Sequence, residues 1–158
     1  MDYTKWLTKT ALLLALTLVF QMIGFPQPVT GPLINMMLFI SATISGLLGG
    51  ILIGALTPWI AFVRGILPAP LAPMIPFIMA GNAVLVVSYF GLKRVNQYLA
   101  VIVASVIKFA VLALAVNFLV EVPEQIAAMM QLPQLLTALA GGALALVLLR
   151  LLEDKIEF

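Results

Sequence analysis

Lys108 stands in the middle of an uninterrupted apolar run, VIVASVIKFAVLALAV. A charge at the centre of a membrane helix costs at least about 2.5 kcal/mol, so such a residue usually faces the protein interior. Arg64 is the second basic residue in apolar surroundings, close to the end of another run. Snorkelling to the headgroups accounts for a charge near a helix end and so covers Arg64, but not Lys108. No Asp or Glu falls in any apolar run to pair with either residue. A ligand carboxylate or phosphate would supply the missing countercharge. Backbone carbonyls released by Pro58, or by a break in the apolar run before it, in span two, are the structural alternative. The chemistry on offer is recognition of an anionic group.

Asn35, Asn82 and Asn117 add amides at comparable depth. An asparagine in a membrane helix can bond to a neighbouring helix, or it can contribute to a polar cluster. Lys108 shares a helical face with Ser105 and Ala104, whereas Asn117 points roughly opposite. Trp59, Phe62 and Phe77 could stack on a flat ligand or face lipid. Catalysis has no support: no paired carboxylates lie in the runs and no nucleophile has a base nearby. The chain has no Cys and no His, which removes disulfides, thiolates and imidazole metal sites. No G-x-x-x-x-G-K-[ST] pattern occurs, so no ATPase is evident, and no metal or cofactor is expected. The net charge of +2 is small and scattered, giving nucleic-acid binding no basis.

The elements that must position these residues are membrane helices. Hydrophobic residues make up 64% and charged residues 9% of the 158, against about a quarter charged in soluble domains. Mean hydropathy is +1.22. The reading is an all-α integral membrane protein with six spans in one domain, residues 1–158. Span one covers about Trp6 to Gly24 and continues through Gln21, so it reads as a retained helix and not a cleaved signal. Trp6 is placed as an interfacial anchor. Ala11 and Ala15 form a small-xxx-small pair suited to close helix approach. Phe25 to Pro32 reads as a loop.

From Ile34 to Ile66 the chain stays apolar for a stretch that, as one helix, would be about 50 Å long, which exceeds the bilayer core. A turn is therefore expected near Ser45-Gly46. Span two is then short, Ile34 to Ile44, and span three runs from Leu47 to Ile66 with Gly46, Gly50 and Gly54 on one smooth face. Leu67 to Met74 is a proline-rich connection. Span four runs from Ile75 to Leu92 and span five from Gln97 to Leu119. A short interfacial helix is expected around Ile126 to Met130, and span six runs from Leu135 to Leu152. Lys5, Lys9, Lys93, Arg94, Arg150 and Lys155 then share one side, which the positive-inside rule makes cytoplasmic, together with both termini. Every proline but Pro58 falls in the segments on the opposite face, counting Pro76, which opens span four there.

Six features resemble one transporter family. They are Ala11-x-x-x-Ala15, Pro32-x-x-Asn35, the run Gly46-x-x-Gly49-x-x-x-x-Gly54-x-x-x-Pro58, Gly65-x-x-Pro68, Gly81-Asn82, and a lysine, Lys108, inside span five. Together with the small six-helix size, this pattern is similar to the substrate-binding S components of energy-coupling factor (ECF) vitamin transporters. The resemblance implies a high-affinity membrane subunit that captures a small organic nutrient outside a prokaryotic cell and delivers it inward. It implies a lid over Phe25 to Leu33. It also implies docking of Ala11 and Ala15 on a transmembrane coupling protein that carries two ATP-binding subunits. The expected substrate-binding residues are Asn35, Trp59, Arg64, Asn82, Lys108 and Asn117. If Lys108 or Arg64 faces the pocket, the nutrient carries an anionic group. The alternative is a stand-alone carrier or channel with no ATPase.

Overall fold

Prolines mark where helices begin in this chain, because a first-turn residue has no intrahelical use for its N–H. The computed structural model describes residues 2–153, and Lys155 lies outside them. Secondary structure among these residues is entirely helical: α1 (Tyr3–Met22), α2 (Gln27–Ile44), α3 (Gly46–Val63), α4 (Ile75–Leu92), α5 (Gln97–Leu114), α6 (Glu124–Met129) and α7 (Leu132–Glu153). A 3₁₀ turn at Ala69–Met74 leads into α4, and a π-helical turn at Ala115–Leu119 extends α5. Four stretches are long and apolar enough to cross a membrane: Gly46–Val63, Ala69–Leu92, Gln97–Leu119 and Glu124–Leu152. α1 and α2 are as long, at 20 and 18 residues, but more polar.

The second helix departs from the sequence expectation. It is not a short span after a proline loop but an 18-residue helix that begins at Gln27. Pro28 occupies its first turn, where the missing N–H costs nothing. Pro32 is accommodated inside the helix. Most of the expected lid, Phe25 to Leu33, is therefore helical, and only Ile23 to Pro26 lie outside helix between α1 and α2.

The turn between α2 and α3 falls where the length argument requires it. Gly46 has φ +74, in the left-handed region that favours glycine, and has open space around it. It is thus the turn residue and not part of the packing face. Gly50 and Gly54 form that face. A Cβ at Gly50 would stand 2.8 Å from Val86 Cγ1, and one at Gly54 would stand 2.9 Å from Asn82 Cβ, so α3 lies directly on α4. The main core joins α1 to α5 and α7 around Met37, Leu38, Phe39, Leu85 and Tyr89. Phe39 and Tyr89 meet edge to face at 4.9 Å.

At the start of α1, Trp6 has a defined partner. Its indole N–H donates to the Ser45 carbonyl at 2.9 Å, tying α1 to the α2–α3 turn. Lys93 Nζ donates to the Ala42 carbonyl at 3.3 Å, serving the last turn of α2 from the other side. A Trp6→Phe variant keeps the aromatic packing and removes this donor. It is expected to cost about 1 kcal/mol, read as a lower thermal unfolding midpoint in detergent.

Candidate functional site

Pro58 has no N–H, so the carbonyl of Gly54, four residues earlier, loses its helical donor. Gly54 carries no side chain to cover that oxygen. Asn82 on α4 takes the vacancy: its Nδ2 donates to Gly54 O at 2.9 Å. The carbonyl freed by Pro58 is thus used, but by an asparagine and not by a cation. That bond fixes the amide's direction and turns Oδ1 away from α3.

Lys108 is where that oxygen points. Its Nζ donates to Asn82 Oδ1 at 2.8 Å and to Asn35 Oδ1 at 2.6 Å. Asn35 is oriented by the same logic, with its Nδ2 on the Gly31 carbonyl at 2.9 Å. One ammonium therefore links α2, α4 and α5, and through Asn82 it reaches α3. Lys108 is 4% exposed, Asn35 2% and Asn82 3%. The surroundings are small: Ala104 and Ser105 precede Lys108 by one turn, both fully buried. A Cβ on Gly81 would lie 3.4 Å from Lys108 Cγ.

Both partners of the ammonium are neutral. The one ion pair among the described residues joins Lys5 and Asp2 at the surface, 3.5 Å apart. An ammonium has three donors, and two are used here.

Lys108, Asn35 and Asn82 also line a cavity of about 290 Å³. Its walls come from one end of the bundle: the end of α1, the start of α2, the later part of α3, the Ile66–Leu71 connection, the first half of α4 and the α6–α7 junction. Gln21, Gln27 and Gln134 bring amides to it, and Ile34, Leu71, Ile78, Met129 and Met130 bring apolar surface. No carboxylate of the described residues lines it. Lys5, Lys9, Lys93, Arg94 and Arg150 sit at the other ends of their helices.

Three of the six expected site residues meet here, and three do not. Arg64 is exposed and does not line the cavity. It follows the last turn of α3, and Gly65 with φ +71 then turns the chain away. Trp59 is 46% exposed, and its indole N–H rests on Met79 Sδ at 2.8 Å. It follows Pro58 by one residue, about 100° around the helix from the wall that Pro58 forms. Asn117 is exposed on the π-helical turn and donates to its own Ala113 carbonyl at 2.7 Å. Phe77 packs beside the smaller core cluster of Leu71, Met74 and Leu112. Sequence reasoning missed Gln21, Gln27, Thr57 and Gln134. A glutamine inside or beside an apolar run was the available signal, and Gln21 and Gln134 both carry it.

α1 contacts the bundle through Thr10, Leu13, Thr17 and Gln21, which leaves Ala11 and Ala15 exposed with Leu12 and Leu16. The family model for the ECF transporter substrate-specific component matches residues 5–153. The chain belongs to that family. No curated protein and no solved structure matches it. As an ECF S component it is the substrate-binding subunit of a transporter, a multi-pass membrane protein and not itself an ATPase.

Proposed function

We propose that this S component captures a small organic acid at the extracellular face of a prokaryotic cytoplasmic membrane and holds it in the cavity above Lys108. The observation that carries this reading is a buried ammonium with two neutral partners, opening on a cavity that no carboxylate of the described residues lines. A ligand carboxylate would complete its coordination and supply the countercharge, and charge-assisted bonds of that kind are the strong ones. Substrate contact is assigned to Asn35, Asn82 and Lys108, and not to Trp59, Arg64 or Asn117.

In this reading the six long helices all span, as one membrane domain. The clustering of Lys5, Lys9, Lys93, Arg94 and Arg150 away from the cavity supports cytoplasmic termini and an outward-facing site. The exposed Ala11 and Ala15 form the contact with a transmembrane coupling protein, which carries two ATP-binding subunits. Small side chains let helix backbones approach closely there.

Affinity purification from membranes is the test. The wild-type chain should bring down a membrane coupler and ATP-binding proteins. The double variant Ala11→Trp, Ala15→Trp should lose both partners and ATP-dependent uptake, while still binding organic acids. Uptake by this chain alone in vesicles without ATP-binding proteins would overturn the reading in favour of a stand-alone carrier.

A further inference from the structure

The cavity sets two groups of polar side chains in a largely apolar wall. Its floor is the Lys108 cluster. Asn35 comes eight residues after the start of α2 and Asn82 seven after the start of α4. At about 1.5 Å per residue, both lie roughly 10–12 Å below the helix starts. Gln27 is the first residue of α2, Gln134 the third of α7, and Gln21 the last but one of α1. Three amides therefore lie near these helix ends, about 10 Å along the axis from the Asn35 and Asn82 backbone.

The two sets of amides differ in how they are engaged. Both asparagines at the floor have oxygen and nitrogen bonded. Among the described residues, none of the three glutamine side chains makes a hydrogen bond. Gln21 Oε1 is buried without a donor, and Gln21 as a whole is only 9% exposed. Turning that amide toward a ligand breaks no existing bond, and a buried acceptor without a donor is costly to leave so. The rest of the wall includes Ile34, Leu71, Ile78, Met129 and Met130 beside Thr30 and Thr57, and among the described residues the one aromatic ring on it is Phe25. Nothing there offers a flat ring two stacking faces. At about 290 Å³ the space is at the small end of ligand pockets.

We propose that the substrate is a short aliphatic carboxylate with a second polar group, a hydroxyl or amide N–H, at the far end of its chain from the acid. The carboxylate takes the free donor of Lys108 and the distal donor goes to the glutamine rim, chiefly to Gln21. This rests on the cavity being the substrate site, as proposed above.

The experiment uses the purified full chain in nanodiscs and three probes: ω-hydroxyhexanoate, hexanoate and the terminal hexanediol, titrated by saturation-transfer NMR. ω-Hydroxyhexanoate should bind about fivefold tighter than hexanoate, and at least about tenfold tighter than the diol. Gln21→Leu should narrow the gap between the two acids to less than about twofold. Lys108→Met should narrow the gap between hydroxy acid and diol. Unfolding midpoints show that each variant is folded, and Gln21→Met, closer in shape, replaces Gln21→Leu if that variant does not fold. Equal affinity for the two acids in the wild type would overturn the two-ended class while leaving the anion site standing, provided both exceed the diol. A gap that survives in the Gln21 variant would overturn the role of the rim. Binding by none of the three would remove both the class and the organic-acid reading, and the transporter assignment would then rest on co-purification alone.

Discussion

Lys108→Met is expected to lower the affinity for organic acids by on the order of a hundredfold, because it removes the one cation that the described residues bring to the cavity wall. The effect on stability should be far smaller, since two terms oppose. Methionine fills a similar volume and takes a buried ammonium, with its desolvation cost, out of the core. Against that, Asn35 Oδ1 and Asn82 Oδ1 each lose a donor, at about 1–3 kcal/mol apiece. The net change should lie within about 2 kcal/mol of zero. Thermal unfolding with and without ω-hydroxyhexanoate separates the two. The wild type should gain stability with the acid, in proportion to the logarithm of one plus the ratio of acid concentration to Kd, and the variant should not. An unchanged response to the acid in Lys108→Met would remove the cation from the binding account.

The same contrast explains what could be read from the sequence. A lysine at the centre of an apolar run has one economical place to go, and the structure puts Lys108 there with Asn35 and Asn82. Arg64, Trp59 and Asn117 are no less polar or aromatic, but each had a second outlet: the helix end for Arg64, a neighbouring sulfur for Trp59 and its own backbone for Asn117. Composition cannot choose among such outlets. Length could place the Ser45-Gly46 turn and the limits of α4, because both are set by how far a helix reaches. Prolines misled in α2. Their density read as a loop, yet a proline in the first turn begins a helix as readily as it ends one.

Pro58 shows a finer limit. Its spacing from Gly54 was visible, and so was the carbonyl it would release. The identity of the group that would take it depended on the α3–α4 approach, which the missing side chain at Gly54 permits. The proline, which lines the cavity itself, therefore also acts on the site at one remove. It frees a carbonyl, the carbonyl orients Asn82, and Asn82 holds the ammonium.

Gly141→Ala is expected to damage both fold and site, although it adds a single methyl group. The added Cβ would stand 2.6 Å from the Pro32 carbonyl oxygen, 2.7 Å from Met36 N and 2.7 Å from Asn35 Cβ. Two of these are backbone atoms of α2 and cannot turn aside as a flexible side-chain end would. α2 and α7 must therefore separate, at a cost of about 1–3 kcal/mol. The displaced segment carries Asn35, whose oxygen lies 2.6 Å from Lys108 Nζ. Affinity for organic acids should fall as well, by about tenfold if that bond is lost. Gly91→Ala is the matched control: a Cβ there meets nothing within 4 Å, and Gly91 is exposed on α4. Alanine at such a position should be neutral or stabilise by up to about 1 kcal/mol through helix propensity, with affinity unchanged. Unfolding midpoints and acid titrations on the two variants give the comparison. If Gly141→Ala loses stability but keeps full affinity, the Asn35–Lys108 bond is not what holds the ligand. Lys108 must then act through Asn82 alone, tied to α3 by the carbonyl that Pro58 leaves free.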